Sequence, residues 1–255
     1  LLALIGTAYY QMEQPAKIVA PIERAIALAK ERDITVKEQW WLLLRVAYWE
    51  QDNYKKVKEI LEVLVVGWPK KEYWTQLSGI YFELKDEPRQ LAAYEAAYDQ
   101  GLLTSNGELV QMGQLFLQAE APYKGAKVLQ SGIESGKIDR NVRNLRLLSQ
   151  AYQLSREDRK AIGPLKEAAG MSDDGELYAR LANSYLNLSQ YANCIDASKK
   201  ALSKGGLKDT GNAHLVKGMC EFDSKKLRSA KASFVNAAKY DKTKKYARSW
   251  LEFVK

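Results

Sequence analysis

The stretch WTQLSGIYFELKDEPRQLAAYEAA, residues 74–97, decides how this chain folds. Apolar and small residues recur at three- and four-residue intervals on both sides of the polar break Lys85-Asp86-Glu87-Pro88. That is the pattern of two short amphipathic helices joined by a turn. Tyr81 sets a frame: Ser78 lies three residues before it, Gln90 nine after, Tyr94 four further on, and Ala97 three beyond that.

The frame repeats along the whole sequence. The aromatic slot is filled by Tyr9, Tyr48, Tyr81, Phe116, Tyr152 and Tyr185. The slot three residues before it holds Gly6, Arg45, Ser78, Gly113, Ser149 and Ala182, small in five of six. Later slots read Ile18, Val57, Gln90, Gly125, Ala161 and Cys194; Ile22, Leu61, Tyr94, Leu129, Leu165 and Ser198; and Ala25, Leu64, Ala97, Gly132, Ala168 and Ala201. A seventh unit keeps the spacing through Gly218, Ala230, Phe234 and Ala237, with Glu221 in the aromatic slot and Phe222 after it. Successive aromatic slots are 39, 33, 35, 36, 33 and 36 residues apart, so length varies only in the connections between units. Small residues let helices approach closely, and the expectation is that the aromatic ring of a neighbour fills the space. A single pair cannot bury its apolar stripe, so the pairs must stack.

Trp41-x2-Leu44 with Tyr48, and Trp74-x2-Leu77-Ser78 with Tyr81, resemble the signature of the tetratricopeptide repeat, and Pro69 sits where that family often ends its second helix. The resemblance implies an all-α fold: an α-solenoid, a right-handed superhelix of about seven helix-turn-helix repeats, with a C-terminal capping helix. The units fall at about 1–37, 38–70, 71–105, 106–141, 142–174, 175–210 and 211–242, with the cap at 243–255. In the cap, Tyr246, Trp250, Leu251 and Val254 are expected to pack while Lys244, Lys245, Arg248 and Glu252 face out. The N-terminus shows no equivalent cap, which points to a fragment of a longer array, and the unprotected first helix offers a surface for a homodimer.

Composition narrows the function. The chain has 255 residues, one histidine (His214) and two cysteines (Cys194 and Cys220), too few for a His-rich zinc site, a disulfide framework or a CxxC redox centre. The two cysteines fit buried small hydrophobes, and adjacent units could bring them near each other, so two inert thiols and a bridge both stay open, the bridge needing an oxidising compartment and suitable geometry. His214 reads as a packing or surface residue. Asp173-Asp174-Gly175-Glu176 lacks the ligand spacing of a calcium loop and reads as a turn and helix cap, and Gly205-Gly206 as a helix stop. No catalytic constellation, metal site or cofactor site emerges, and the expectation is a non-enzymatic protein.

Function is therefore expected in the concave wall that the family builds from each unit's first helix. One residue past the aromatic slot stand Tyr10, Trp49, Phe82, Leu117, Gln153, Leu186 and Phe222, apolar in six of seven units. Helix geometry turns this position about 100° from the packed face. Nearby slots add two apolar groups, Leu42, Val46, Trp49 and Phe82 in one and Leu215, Met219 and Phe222 in the other, with Arg143, Arg146, Gln150, Gln153 and Asn183 between them. Aromatic and arginine side chains are the usual anchors of a bound protein or peptide. The Lys/Asn carboxylate clamp of chaperone-associated family members is not matched. A competing reading uses the basic end. Residues 196–255 carry fifteen Lys/Arg against six Asp/Glu, and the rest of the chain 24 against 25. Lys225, Lys226, Arg228, Lys231, Lys239, Lys242, Lys244, Lys245 and Arg248 would then meet nucleic acid or an anionic surface.

Several phrases are similar to long bacterial repeat proteins encoded beside TonB-type energy-transduction components: Lys71-Glu72-Tyr73-Trp74-x-Gln76-Leu77-Ser78-Gly79, Pro122-Tyr123-Lys124-Gly125-Ala126-Lys127-Val128-Leu129, Ser172-Asp173-Asp174-Gly175, and Lys204-Gly205-Gly206-Leu207-Lys208 followed by Ala213-His214-Leu215. That likeness implies a periplasmic scaffold serving outer-membrane uptake.

Overall fold

The computed structural model describes residues 1–254, which contain fifteen α-helices and no strand. Backbone contacts group the chain into two compact units, Leu1–Glu108 and Leu109–Lys255. The first holds α1 (Leu2–Gln11), α2 (Pro15–Glu31), α3 (Glu38–Trp49), α4 (Tyr54–Gly67), α5 (Lys71–Glu83) and α6 (Glu87–Asp99). Helix α7 (Asn106–Gln118) begins at its end and runs into the second. The second continues with α8 (Pro122–Glu134), α9 (Val142–Leu154), α10 (Asp158–Met171), α11 (Glu176–Asn187), α12 (Tyr191–Lys204), α13 (Thr210–Asp223), α14 (Leu227–Ala237) and α15 (Asp241–Phe253). Within each unit, sequence neighbours pack as helix-turn-helix pairs stacked on one another, as in an α-solenoid. Lys255, the last residue of the expected cap, lies outside the described residues.

One turn closes the first helix of every repeat. The residue four past the aromatic slot is Glu13, Asp52, Lys85, Glu120, Arg156, Ser189 or Lys225, and each sits at a φ between +52° and +61°. The slot's own carbonyl accepts a hydrogen bond from the amide five residues on: Gln14 to Tyr9 at 3.0 Å, Asn53 to Tyr48 at 2.9 Å, and so through Lys226 to Glu221 at 2.8 Å. This left-handed stop, with its six-to-one bond, is the Schellman ending of a helix. The seventh unit makes it with Glu221 in the slot, so the turn belongs to the spacing and not to the ring.

The small slot brings the two helices of a pair together. A Cβ added at Gly6 would stand 2.3 Å from Ile22 Cδ1, one at Gly113 would stand 2.7 Å from Leu129 Cγ, and one at Gly218 would stand 2.6 Å from Phe234 Cε1. Each of these partners lies sixteen residues on, in the second helix of the same unit, and is fully buried. Where the slot holds Ser78, its hydroxyl donates to the Gln90 carbonyl at 2.9 Å. The space beside the small residue is filled from within the pair, by the expected ring at Gly218 but by the aliphatic Ile22 and Leu129 at Gly6 and Gly113. The tyrosines do something else: the Tyr48 hydroxyl donates to Glu23 Oε1 at 2.6 Å and the Tyr81 hydroxyl to Glu62 Oε1 at 2.7 Å. Both acceptors lie on the second helix of the preceding repeat, fourteen residues past its aromatic slot. Burial, and then the bonded carboxylate, push the Tyr81 phenol up to about 12.

The seventh unit replaces this arrangement. Glu221 is buried, its carboxylate 2.8 Å from Lys217 Nζ and accepting from the Ser233 hydroxyl at 2.6 Å. A buried carboxylate is tolerable only with such partners. Beside it Cys220 on α13 forms a disulfide with Cys194 on α12, with Cα atoms 6.3 Å apart and both residues fully buried. Of the two readings that the sequence left open for these cysteines, the bond is the one formed. The repeat offset puts Cys194 against the next first helix, close to the Val216 carbonyl, where Cys220 can meet it.

The closing helix also differs from expectation. Thr243, Ala247, Trp250, Leu251 and Val254 face the body, whereas Tyr246 is 63% exposed. Trp250 stacks on Phe234 with ring centroids 5.4 Å apart.

Three outcomes test this packing. Gly113→Ala should destabilise by about 1–2 kcal/mol in urea unfolding, since overpacking against buried Leu129 outweighs the gain in helix propensity. Gly79→Ala, which meets nothing within 4 Å, should stabilise by about 0.5–1 kcal/mol. Reducing the disulfide, which spans 26 residues, should lower stability by about 3 kcal/mol. Titration of two free thiols in the unreduced, unfolded protein would contradict the bond.

Candidate partner-binding face

In the first unit, α1, α3 and α5 are the first helices of their pairs, and each leaves one stripe uncovered. On α3 the stripe carries Leu42, Val46 and Trp49, and on α5 it carries Thr75, Gly79 and Phe82. The position after the aromatic slot is the most open: Tyr10 is 50% exposed, Trp49 45% and Phe82 53%. The cause is local. The slot residue turns into the core and the left-handed stop follows four residues later, so the side chain just after the slot is carried outward at the helix end. Trp49 is steadied by an edge contact to Tyr54, with centroids 6.2 Å apart, and Lys85 Nζ lies 5.3 Å from the centre of the Phe82 ring. Leu42 and Val46 are half-buried, with Leu42 packed on the core of this unit.

A polar seam ties α3 to α5 beside these residues. Arg45, the exception in the small slot, donates to Gln76 Oε1. Tyr73 donates its hydroxyl to Glu38, which also accepts from Lys70 at 2.7 Å. Those bonds, the lysine's first, hold the Glu38 carboxyl below its usual range, while burial lowers the Arg45 guanidinium from its ordinary value. Sequence reasoning did not find this seam. The large side chain at Arg45, where the six other units have small ones, was its signal.

The second unit presents different chemistry. Arg143, Arg146 and Gln150 are exposed on α9, and neither arginine pairs with a carboxylate among the described residues. Gln153 donates to Ser184 Oγ across to α11 at 3.0 Å, and Asn183 turns back to its own helix at the Ala179 carbonyl, 2.9 Å away. Leu117 and Leu186 are half-buried. Leu215, Met219 and Phe222, expected to face a partner, instead pack against the cluster of Ala230, Phe234 and Val254 that α15 completes. Phe222 meets Trp250 edge-on at 5.4 Å. The closing helix occupies that apolar group, so these three cease to be open anchors.

Other singled-out residues take structural parts. His214 stacks on Tyr240 at 6.3 Å, and burial, with Lys217 and Lys239 nearby, holds its imidazole below the usual value. Asp174 Oδ1 accepts from the Glu176 amide at 3.1 Å, a turn and cap as expected, and Gly205 follows α12 at φ +71°. Among the described residues no group of His, Cys, Asp or Glu is arranged to hold a metal, and no helix is long and apolar enough to cross a membrane.

No family model and no curated protein matches the chain. Solved structures do. The chain is similar to YrrB, described as a TPR protein with an unusual peptide-binding site, at 11% identity and a TM-score of 0.58, over 76% of this chain and 99% of that one. It is also similar to MamA, at 16% identity and a TM-score of 0.53, over 65% of this chain and 88% of that one. Identities this low speak for the fold alone, and the fold is that of tetratricopeptide repeat proteins.

Proposed function

We propose that this chain is a non-enzymatic protein–protein interaction scaffold that holds a segment of a partner protein on the first-helix face of its N-terminal unit. The observation that carries this reading is the row of Tyr10, Trp49 and Phe82, each about half exposed at the same slot of successive repeats. Three aromatic side chains held open at one register on rigid helices form a set of anchors, because large rings desolvate well with little loss of side-chain freedom. Leu42 and Val46 extend the apolar stripe, and Arg45 and Gln76, bonded to each other, give its margin a polar edge. On the second unit, Arg146 and Gln150 suit a partner's carboxylate or backbone carbonyls. The peptide-binding site described for YrrB supports this use of the fold.

The disulfide supports one reading of the compartment. A fully buried Cys194–Cys220 bond suits an oxidising environment, which supports the periplasmic setting implied by the TonB-associated phrases. In that setting the partner belongs to an envelope transport assembly.

The test is binding of the native partner to Trp49→Ala and Phe82→Ala variants. Each should weaken binding by about 1–3 kcal/mol while the unfolding midpoint stays within the range of surface substitutions. Binding unchanged in the double variant would remove the face from the reading. A large drop in stability would instead place these rings in the core.

A further inference from the structure

Helix α15 closes the stack with one side and leaves the other unlike an ordinary solvated surface. Tyr246 is 63% exposed and Phe253 75%, seven residues apart and hence on one stripe, about two turns along the axis. Lys242, Lys245 and Ser249 lie along the same stripe, with Arg248 and Glu252 beside it, all exposed. On α14 the outward positions are Arg228, Lys231 and Val235, with Leu227 alongside and Lys225 and Lys226 just before the helix. From 224 to 254 there are nine Lys or Arg and two acidic residues, Asp241 and Glu252. None of the nine pairs with a carboxylate among the described residues, although Lys239 donates to Asn236 at 2.8 Å. Trp250, Leu251 and Val254 close the core; Phe253 meets only the edge of Trp250, with centroids 6.2 Å apart, and both it and Tyr246 turn most of their surface to water amid unpaired cations.

We propose that the outer face of α15, together with the basic start of α14, docks on an anionic phospholipid bilayer. The helix would lie in the plane of the headgroups. Tyr246 and Phe253 would enter the acyl boundary while the lysine stems reach back to phosphate, as interfacial amphipathic helices do. Charge complementarity selects an anionic partner. The two rings aligned along the helix axis, and a stripe free of Asn and Gln, favour a lipid surface over nucleic acid, whose bases are read by such amides. The contact is separate from the partner face of the first unit and does not rest on it.

The experiment is co-sedimentation of the chain with phosphatidylcholine vesicles, alone or mixed with phosphatidylglycerol, over a salt series. Binding should require phosphatidylglycerol and fall with salt. Lys242→Glu and Lys245→Glu should each weaken it by roughly fivefold. Tyr246→Ser with Phe253→Ser should weaken it further at a salt concentration where the wild type still binds. All of these residues are exposed, so urea unfolding of each variant should match the wild type, which separates lost docking from lost folding. Equal binding to neutral vesicles, or no effect of the two ring substitutions, would overturn the proposal. So would tighter binding to a single-stranded oligonucleotide that ignores those substitutions, which would assign the surface to nucleic acid.

Discussion

The structure depends on how near the two helices of a repeat can come. At Gly6, Gly113 and Gly218 the approach leaves no room for even one carbon, because Ile22, Leu129 and Phe234 already occupy it. Interiors packed at crystal density transmit such a constraint to everything built on it. The residue after the aromatic slot sits at the helix end beside the left-handed stop, and in the first unit Tyr10, Trp49 and Phe82 stay about half exposed there.

Stacking adds a second layer of specification. Tyr48 and Tyr81 reach back to Glu23 and Glu62, so each repeat recognises the one before it through a buried phenol and a carboxylate. The device ends where the sequence stops supplying it. Phe116 carries no hydroxyl, and Gln130, Lys166 and Lys199 stand where glutamate would be needed. The last pair is joined to the one before it by a covalent substitute, the Cys194–Cys220 bond, while Lys217 neutralises the buried Glu221 within its own helix. Different chemistry meets the same demand for a specific neighbour.

Much of the fold was legible because it depends on spacing. The small and aromatic slots located both helices of each pair without a gap, and a pattern repeated seven times leaves little room for another arrangement. What escaped depends on direction and partner. None of the seven left-handed turn residues is glycine, so no composition signal marked the stop. The disulfide joins residues 26 positions apart in different slots, a pairing that becomes visible only when two repeats are stacked. In the closing helix, Tyr246 was assigned to the packed stripe because aromatic residues usually pack, yet Thr243 and Ala247 hold that face and Tyr246 is turned to water. Of the expected binding residues, periodicity placed Tyr10, Trp49 and Phe82 on the open stripe. It could not show that α15 would cover Leu215, Met219 and Phe222.

The central claim is that the open side of the first helices, and not the outer side of the second helices, meets the partner. It is tested most directly by a photo-crosslinking amino acid placed at Phe82 or, on α4, at Val66, which is 83% exposed. The account predicts one discrete adduct from position 82, competed by unlabelled wild-type protein, and none from position 66. An adduct from position 66 alone would place the partner on the second helices and contradict the account.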